Sequence, residues 1–333
     1  MRPPVFIVGP HRAGSTLWHN LIAMCPGMLR LAEPRFRGAP RQRDFRLFLA
    51  RYLPGNDADP LVMAERCFSR VPTRGLEGAF WRFEGIPAVD KPELKRRVGE
   101  RVGRSDRSLE SVARIIIEEL TVASGCARAC VKFPLDVRHT ARLFEWFPGC
   151  KVVHITRDPR GLAISKSNDP SGTALKVRRH PRFSWLLRKA ALLHVIKEYQ
   201  AAARVHQKLE TMSDYHLFRY EDLLAEPEKT IRELCQFIGA DFTPDMLQPE
   251  KGRHEHQPSS LTGKQQKAFD PEAAVRWQKV ISPIDNSLIV TLTKSSMKRL
   301  GYDPEAHPIF QKKRFVANGQ VQQAGTDPAE ACS

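Results

Sequence analysis

The stretch VFIVGPHRAGSTLWHN, residues 5–20, decides the fold. Its first four residues form an uninterrupted apolar run with the β-branched bias of a buried strand. A turn bounded by Gly9 and Gly14 follows, and Ser15-Thr16 leads into a helical pattern over 17–24. The nucleoside-triphosphatase form of this element reads G-x-x-x-x-G-K-[ST]. Here Ser15 stands where the lysine belongs, and Arg12 sits inside the turn. Such a turn exposes successive backbone N–H groups, and the helix behind it adds its positive end. Gly14 lets the backbone approach an anion closely, Arg12 adds a planar, permanently charged donor, and Ser15 and Thr16 add hydroxyls. The loop is therefore suited to an anion but lacks the lysine that triphosphate chemistry uses with Mg²⁺.

A second buried strand is predicted at 152–156, within CKVVHITRDP (150–159), with a short helix over 160–167. This strand ends in Thr156-Arg157, and an arginine there repels Mg²⁺ and attracts phosphate. A plainer use of Arg157 is capping the helix or pairing with Asp158. With both strand ends taken as anion sites and no metal site in view, a nucleotide carrying phosphates on its 3′ and 5′ sides fits the pair.

The remaining pattern alternates strands and helices. ACVKFP (129–134) reads as a strand stopped by Pro134, with Lys132 near its end and Asp136 placed to cap a helix over 137–147. Helices are predicted over 109–122, 185–209, 228–238 (ended by Gly239) and 282–300, and a strand over 215–219. Trp18 and Trp185 read as core residues. Residues 34–106, rich in Arg, Pro and Gly with a helical patch at 44–52, read as an insertion that shapes the substrate side. Residues 249–268 read as a mobile loop and 316–333 as a disordered tail. The expected fold is α/β: one domain over 1–315 with a P-loop-like, mostly parallel central sheet flanked by helices on both faces.

Composition narrows the partners. The 333 residues are 41% hydrophobic, and no apolar run reaches the ~20 residues that span a membrane. The N-terminus lacks the features of a secretory signal, so a cytoplasmic protein is expected. The seven cysteines are scattered, and Cys126 and Cys130 have no second close pair to complete a zinc site. His254-Glu255-His256 is too little for a metal site, so none is expected. The net charge of +16 calls for an anionic partner. Its arginines are spread along the chain without zinc-finger or RNA-recognition signatures, which argues against nucleic acid; an anionic membrane, an anionic cofactor or substrate, or simply a solvated basic surface would also account for the excess.

The motifs together resemble those of the PAPS-dependent sulfotransferases (PAPS, 3′-phosphoadenosine 5′-phosphosulfate). FIVGPHRAGSTLWHNLI resembles their 5′-phosphosulfate loop. VVHITRDPRGLAIS resembles their 3′-phosphate element, in which a serine follows an arginine by eight residues, as Ser165 follows Arg157. FRYEDLLAEPEKTIRELCQFIGA and LGYDP (300–304) resemble later elements of the same family, in the same order. The pattern is closest to the tyrosylprotein sulfotransferases, where an acidic residue and an arginine follow the loop as Glu33 and Arg35 do here, Glu33 lying 21 positions after Arg12. There are departures: Ala13 and Ser15 replace a serine and a threonine of the loop, and Asp169 falls where those enzymes carry a cofactor-binding arginine.

The resemblance implies transfer of a sulfuryl group from PAPS to a hydroxyl-bearing acceptor, with PAP (3′,5′-diphosphoadenosine) as product and no metal. It implies that Arg12, Gly14, Ser15 and Thr16 hold the 5′-phosphosulfate, and that Arg157 and Ser165 hold the 3′-phosphate. Glu33 would be the general base, Arg35 an acceptor contact, and Lys132 the cation at the leaving phosphate. Tyr220 and Lys267 would touch the cofactor, Lys267 by its place ten residues before Trp277, with Ser259 or Ser260 nearby in sequence. The plainer alternatives are a surface carboxylate paired with Arg35 or Arg37 for Glu33, a solvated strand-end lysine for Lys132, and a packing tyrosine for Tyr220. Two other functions fit parts of the pattern. A P-loop kinase or nucleotide hydrolase would need the missing lysine, and a non-enzymatic binder of nucleic acid or anionic membrane would rest on charge alone.

Overall fold

The computed structural model describes residues 1–31, 90–132, 134–170, 172–248 and 269–305. The apolar run at the start is β1 (Val5–Val8), and all four of its side chains are buried. It lies in the middle of a five-stranded sheet of order β2-β3-β1-β4-β5, with β2 Met28–Leu31, β3 Arg128–Lys132, β4 Lys151–Thr156 and β5 Tyr215–Arg219. Every neighbouring pair is parallel, with Phe6 opposite Val131 on one side and Val152 on the other.

Strands covered on both faces read as continuous apolar runs, because alternate side chains enter two different cores. Phe6 and Val8 join Val131 and Val152 in one core, while Val5 and Ile7 join Val153 and Ile155 in the other. The first core is closed by α2 (Lys91–Gly103) and α3 (Leu109–Ala123), through Leu94, Val98 and Val102 and through Val112, Ile116 and Leu120. The second is closed in part by α1 (Ser15–Ala23), with Trp18, Leu21 and Ile22. The long helix described below adds Val195, Ile196 and Tyr199.

The other helices follow in order: α4 (Thr140–Trp146), α5 (Pro159–Ser167), α6 (Thr173–Arg179) and α7 (Ser184–Leu209). After β5 come α8 (Tyr220–Ala225), α9 (Pro227–Ile238), α10 (Glu272–Val275) and α11 (Pro283–Arg299). No helix among the described residues is long and apolar enough to cross a membrane.

The structure differs from the sequence expectation at several points. β2 was not foreseen, and part of the stretch expected to be an insertion is α2, whose apolar face packs into the core. The helix expected over 137–147 is a 3₁₀ turn (Pro134–His139) followed by α4, which begins at Thr140. β3 sits one residue earlier than expected. Trp18 is fully buried, but Trp185 is 69% exposed and is no part of the core. The helical patch at 44–52, the loop at 249–268 and the tail at 316–333 lie outside the described residues.

Candidate phosphate-binding site

Parallel strands end together, so the loops after β1, β3 and β4 meet at one edge of the sheet, the edge where open α/β folds bind ligands. Ile7 pairs with Lys132 and Val8 with His154, which brings the β1 loop, the end of β3 and the end of β4 side by side.

The β1 loop is pressed against its neighbours. Gly9 has φ 147°, and a Cβ there would lie 2.1 Å from the carbonyl oxygen of Ile155. Gly14 has φ 91°, and a Cβ there would lie 2.6 Å from the ring of Tyr220. Arg12 has φ 75°, an uncommon conformation for a residue with a side chain, of the kind that concentrates at ligand sites. Its Nε donates to Ser165 Oγ at 3.2 Å, joining the β1 loop to α5. Burial lowers the Arg12 pKa; the nearby carboxylate of Asp169 opposes that shift, and the charge of Arg157 adds to it.

The lysine missing from the loop has a spatial counterpart. Lys132, buried at the end of β3, donates from Nζ to Thr16 Oγ1 at 3.1 Å. Thr16 and the buried Ser15 form the first turn of α1, whose leading N–H groups have no acceptor within the helix.

Arg157 follows β4 directly. Asp158 is committed elsewhere: it caps α5 at Arg160 N–H and holds the Arg160 guanidinium at 2.7–2.9 Å. Arg160 is itself buried, lies over the Trp277 ring at 4.3 Å and donates to the Asp303 carbonyl. Arg157 therefore does not form the pair with Asp158 that was one reading of it. Its guanidinium lies over the Tyr220 ring at 4.4 Å and donates to the Ala273 carbonyl at 3.1 Å. Its buried Nε has no hydrogen-bond partner among the described residues.

Glu221 braces this side. It accepts from Asp158 N–H at 3.0 Å and from the Tyr302 hydroxyl at 2.8 Å, so the cap of α5, α8 and the LGYDP segment share one carboxylate. Burial pushes the Glu221 pKa up. The sequence reading did not single out Asp158, Arg160, Glu221 or Tyr302 as supports. Their signal was present as two acidic residues, each next to a predicted anion-binding residue in sequence.

Of the residues singled out beforehand, Arg12, Gly14, Ser15, Thr16, Lys132, Arg157, Ser165 and Tyr220 occupy this one edge. Glu33, Arg35, Ser259, Ser260 and Lys267 lie outside the described residues; β2 ends at Leu31 on the same edge, two positions before Glu33.

A parallel α/β sheet with a glycine-bounded turn after its central strand defines a protein of the P-loop-like class. The chain belongs to the sulfotransferase family, whose pattern it matches over residues 3–244. It is 26% identical over 225 residues to protein-tyrosine sulfotransferase 1 of Danio rerio, across 64% of this chain and 59% of that protein. It is 27% identical over 265 residues to omega-hydroxy-beta-dihydromenaquinone-9 sulfotransferase of Mycobacterium bovis, across 72% of this chain and 64% of the relative. The matches thus span less than two thirds of either relative. Among solved structures, the sulfotransferase domain from the curacin biosynthetic pathway superposes with a TM-score of 0.59 at 18% identity, covering 91% of this chain and 99% of that domain. At that identity the likeness establishes the shared fold.

Proposed function

We propose that the protein transfers a sulfuryl group from PAPS to the hydroxyl of an acceptor, in line and without a metal or a covalent enzyme intermediate. The observation that carries this reading is the joining of two anion-binding elements. Arg12 from the β1 loop meets Ser165 of α5 at 3.2 Å, with Arg157 beside them. Two guanidinium groups that repel each other in a partly buried site are stabilised by an anion between them. The unpartnered Arg157 Nε offers that anion a further donor.

PAPS supplies the activated sulfuryl group and the two phosphates by which it is held. Arg12, the Gly14 backbone, Ser15 and Thr16 hold the 5′ side, while Arg157 and Ser165 hold the 3′-phosphate. The Tyr220 ring fixes Arg157 from beneath and its hydroxyl serves a cofactor phosphate; Lys267 adds a cofactor contact. Lys132 places its ammonium against Thr16 and compensates the charge left on the departing phosphate, leaving PAP. Glu33 takes the acceptor proton, and Arg35 contacts the acceptor. Arg157 at a strand end, where a triphosphatase carries an acidic metal ligand, suits phosphate and not Mg²⁺.

Thermal melting tests the reading. PAP should raise the melting temperature and ATP with Mg²⁺ should not. Stabilisation by ATP with Mg²⁺ and none by PAP would return the protein to the kinases and hydrolases.

A further inference from the structure

Four strongly exposed large apolar side chains sit at or just before the starts of two helices. Ile284 is 75% exposed and Trp185 69%, the two highest values among the described large apolar residues. Phe183 and Leu186 are 59% and 56% exposed. These residues share one end of the molecule. Lys189 of α7 is ion-paired with Asp285 at the start of α11, and Gln200 further along α7 donates to the Leu292 carbonyl of α11 at 2.8 Å. The two helices therefore run in the same direction with their N-terminal ends together. Trp185 lies one turn before Lys189 on the same face of α7, and Ile284 precedes Asp285.

The chain leading into this end is basic, and Asp285, at the start of α11, is taken up by Lys189. From Gly172 to Ala190 the chain carries six lysines and arginines and no Asp or Glu. Arg178 and Arg179 end α6, Arg182 lies in the 3₁₀ turn Pro181–Phe183, and Arg188 follows in α7; all four are exposed. Solvated arginine faces are common, and by themselves they specify nothing. Four protruding apolar side chains next to exposed arginines are a different matter, since water is a poor solvent for the first and nucleic acid offers them no apolar phase.

We propose that this end, built from α6, the turn at Pro181–Phe183 and the starts of α7 and α11, docks the protein on the surface of an anionic lipid bilayer. The chemistry is complementary at both levels. Tryptophan and its apolar neighbours partition into the headgroup boundary, and arginines collect acidic headgroups around them. The attachment is peripheral and uses side chains only.

Flotation of the full-length protein with vesicles provides the test. The protein should float with phosphatidylcholine vesicles containing phosphatidylserine, and not with phosphatidylcholine alone or in high salt. Replacing Arg178, Arg179 and Arg182 together by alanine should weaken partitioning about a hundredfold, from about fivefold per basic residue near the surface. W185S combined with I284S should remove most of what remains, with the circular dichroism spectrum unchanged. Should these variants misfold, a conservative variant answers: brominated lipid should quench the fluorescence of the wild type, and W185F should lose that quenching. Equal flotation on neutral and anionic vesicles, or no flotation, overturns the proposal. So does a change of oligomeric state in W185S/I284S without flotation by the wild type, or binding of an oligonucleotide in place of vesicles.

Discussion

Arg12 and Ser165 are 153 positions apart in the chain and 3.2 Å apart in the fold. Their bond closes the gap between the β1 loop and α5, so both halves of the proposed nucleotide clamp are set by one contact. R12A removes a charged donor and should weaken PAP binding roughly 10- to 100-fold by isothermal calorimetry, whereas S165A should cost about fivefold. Equal binding by R12A and wild type would remove Arg12 from the clamp.

Gly14 and Tyr220 form a second such relationship. An alanine at 14 would have to displace a ring carbon 2.6 Å away while adopting φ 91°. G14A should destabilise the fold by about 1–3 kcal/mol in urea titration, and should lower PAP affinity because the displaced ring supports Arg157. Y220F keeps the ring under the guanidinium and should retain the wild-type melting temperature. Y220A should lose both stability and PAP affinity.

Base and leaving-group roles separate by readout. E33Q should leave PAP-induced stabilisation near wild type and lower turnover by about 10²–10⁴-fold. K132A should also lower turnover, with a smaller loss of PAP affinity than R12A. Unchanged turnover in E33Q would dismiss it as the base.

His154 on β4 predicts an acid limb of stability. Burial lowers its pKa from 6.5 to about 3, with a smaller effect from the charge of His206. Its Nδ1 lies 2.5 Å from the Tyr215 hydroxyl, which is also 3.2 Å from His206 Nδ1. A base whose folded pKa is depressed holds fewer protons than the unfolded chain. The stability it contributes is therefore present above pH 6.5 and lost as the pH falls from 6.5 toward 3. The slope is up to about 1.4 kcal/mol per pH unit. His206, also lowered by burial, acts in the same sense. Denaturant titrations across this range should show a shallower acid loss in H154N; an unchanged slope would clear His154 of the effect.

Sequence revealed most where signals were contiguous. β1, its loop and β4 announce themselves because each buried strand is a short, mostly apolar, β-branched run followed at once by a distinctive glycine- or arginine-bearing turn. Met28–Leu31 escaped because a four-residue strand containing the buried Arg30 has too little pattern. Lys91–Gly103 was hidden by its charges, although Leu94, Val98 and Val102 repeat at helical spacing. Trp185 was misjudged because helical periodicity gives a stripe and not a partner. The Asp158–Arg160–Trp277 support could not be read from spacing, since Trp277 arrives from more than a hundred positions away.

The bond from Lys132 to Thr16 has one more consequence. A hydrolase carries its phosphate-side lysine on the loop itself, so the cation moves whenever the loop does. Here the ammonium is mounted on β3, and its position is measured by the pairing of Lys132 with Ile7. A slip of one residue between those strands would turn the lysine to the opposite face of the sheet. The charge is thus tied to the register of the sheet and not to the conformation of the loop.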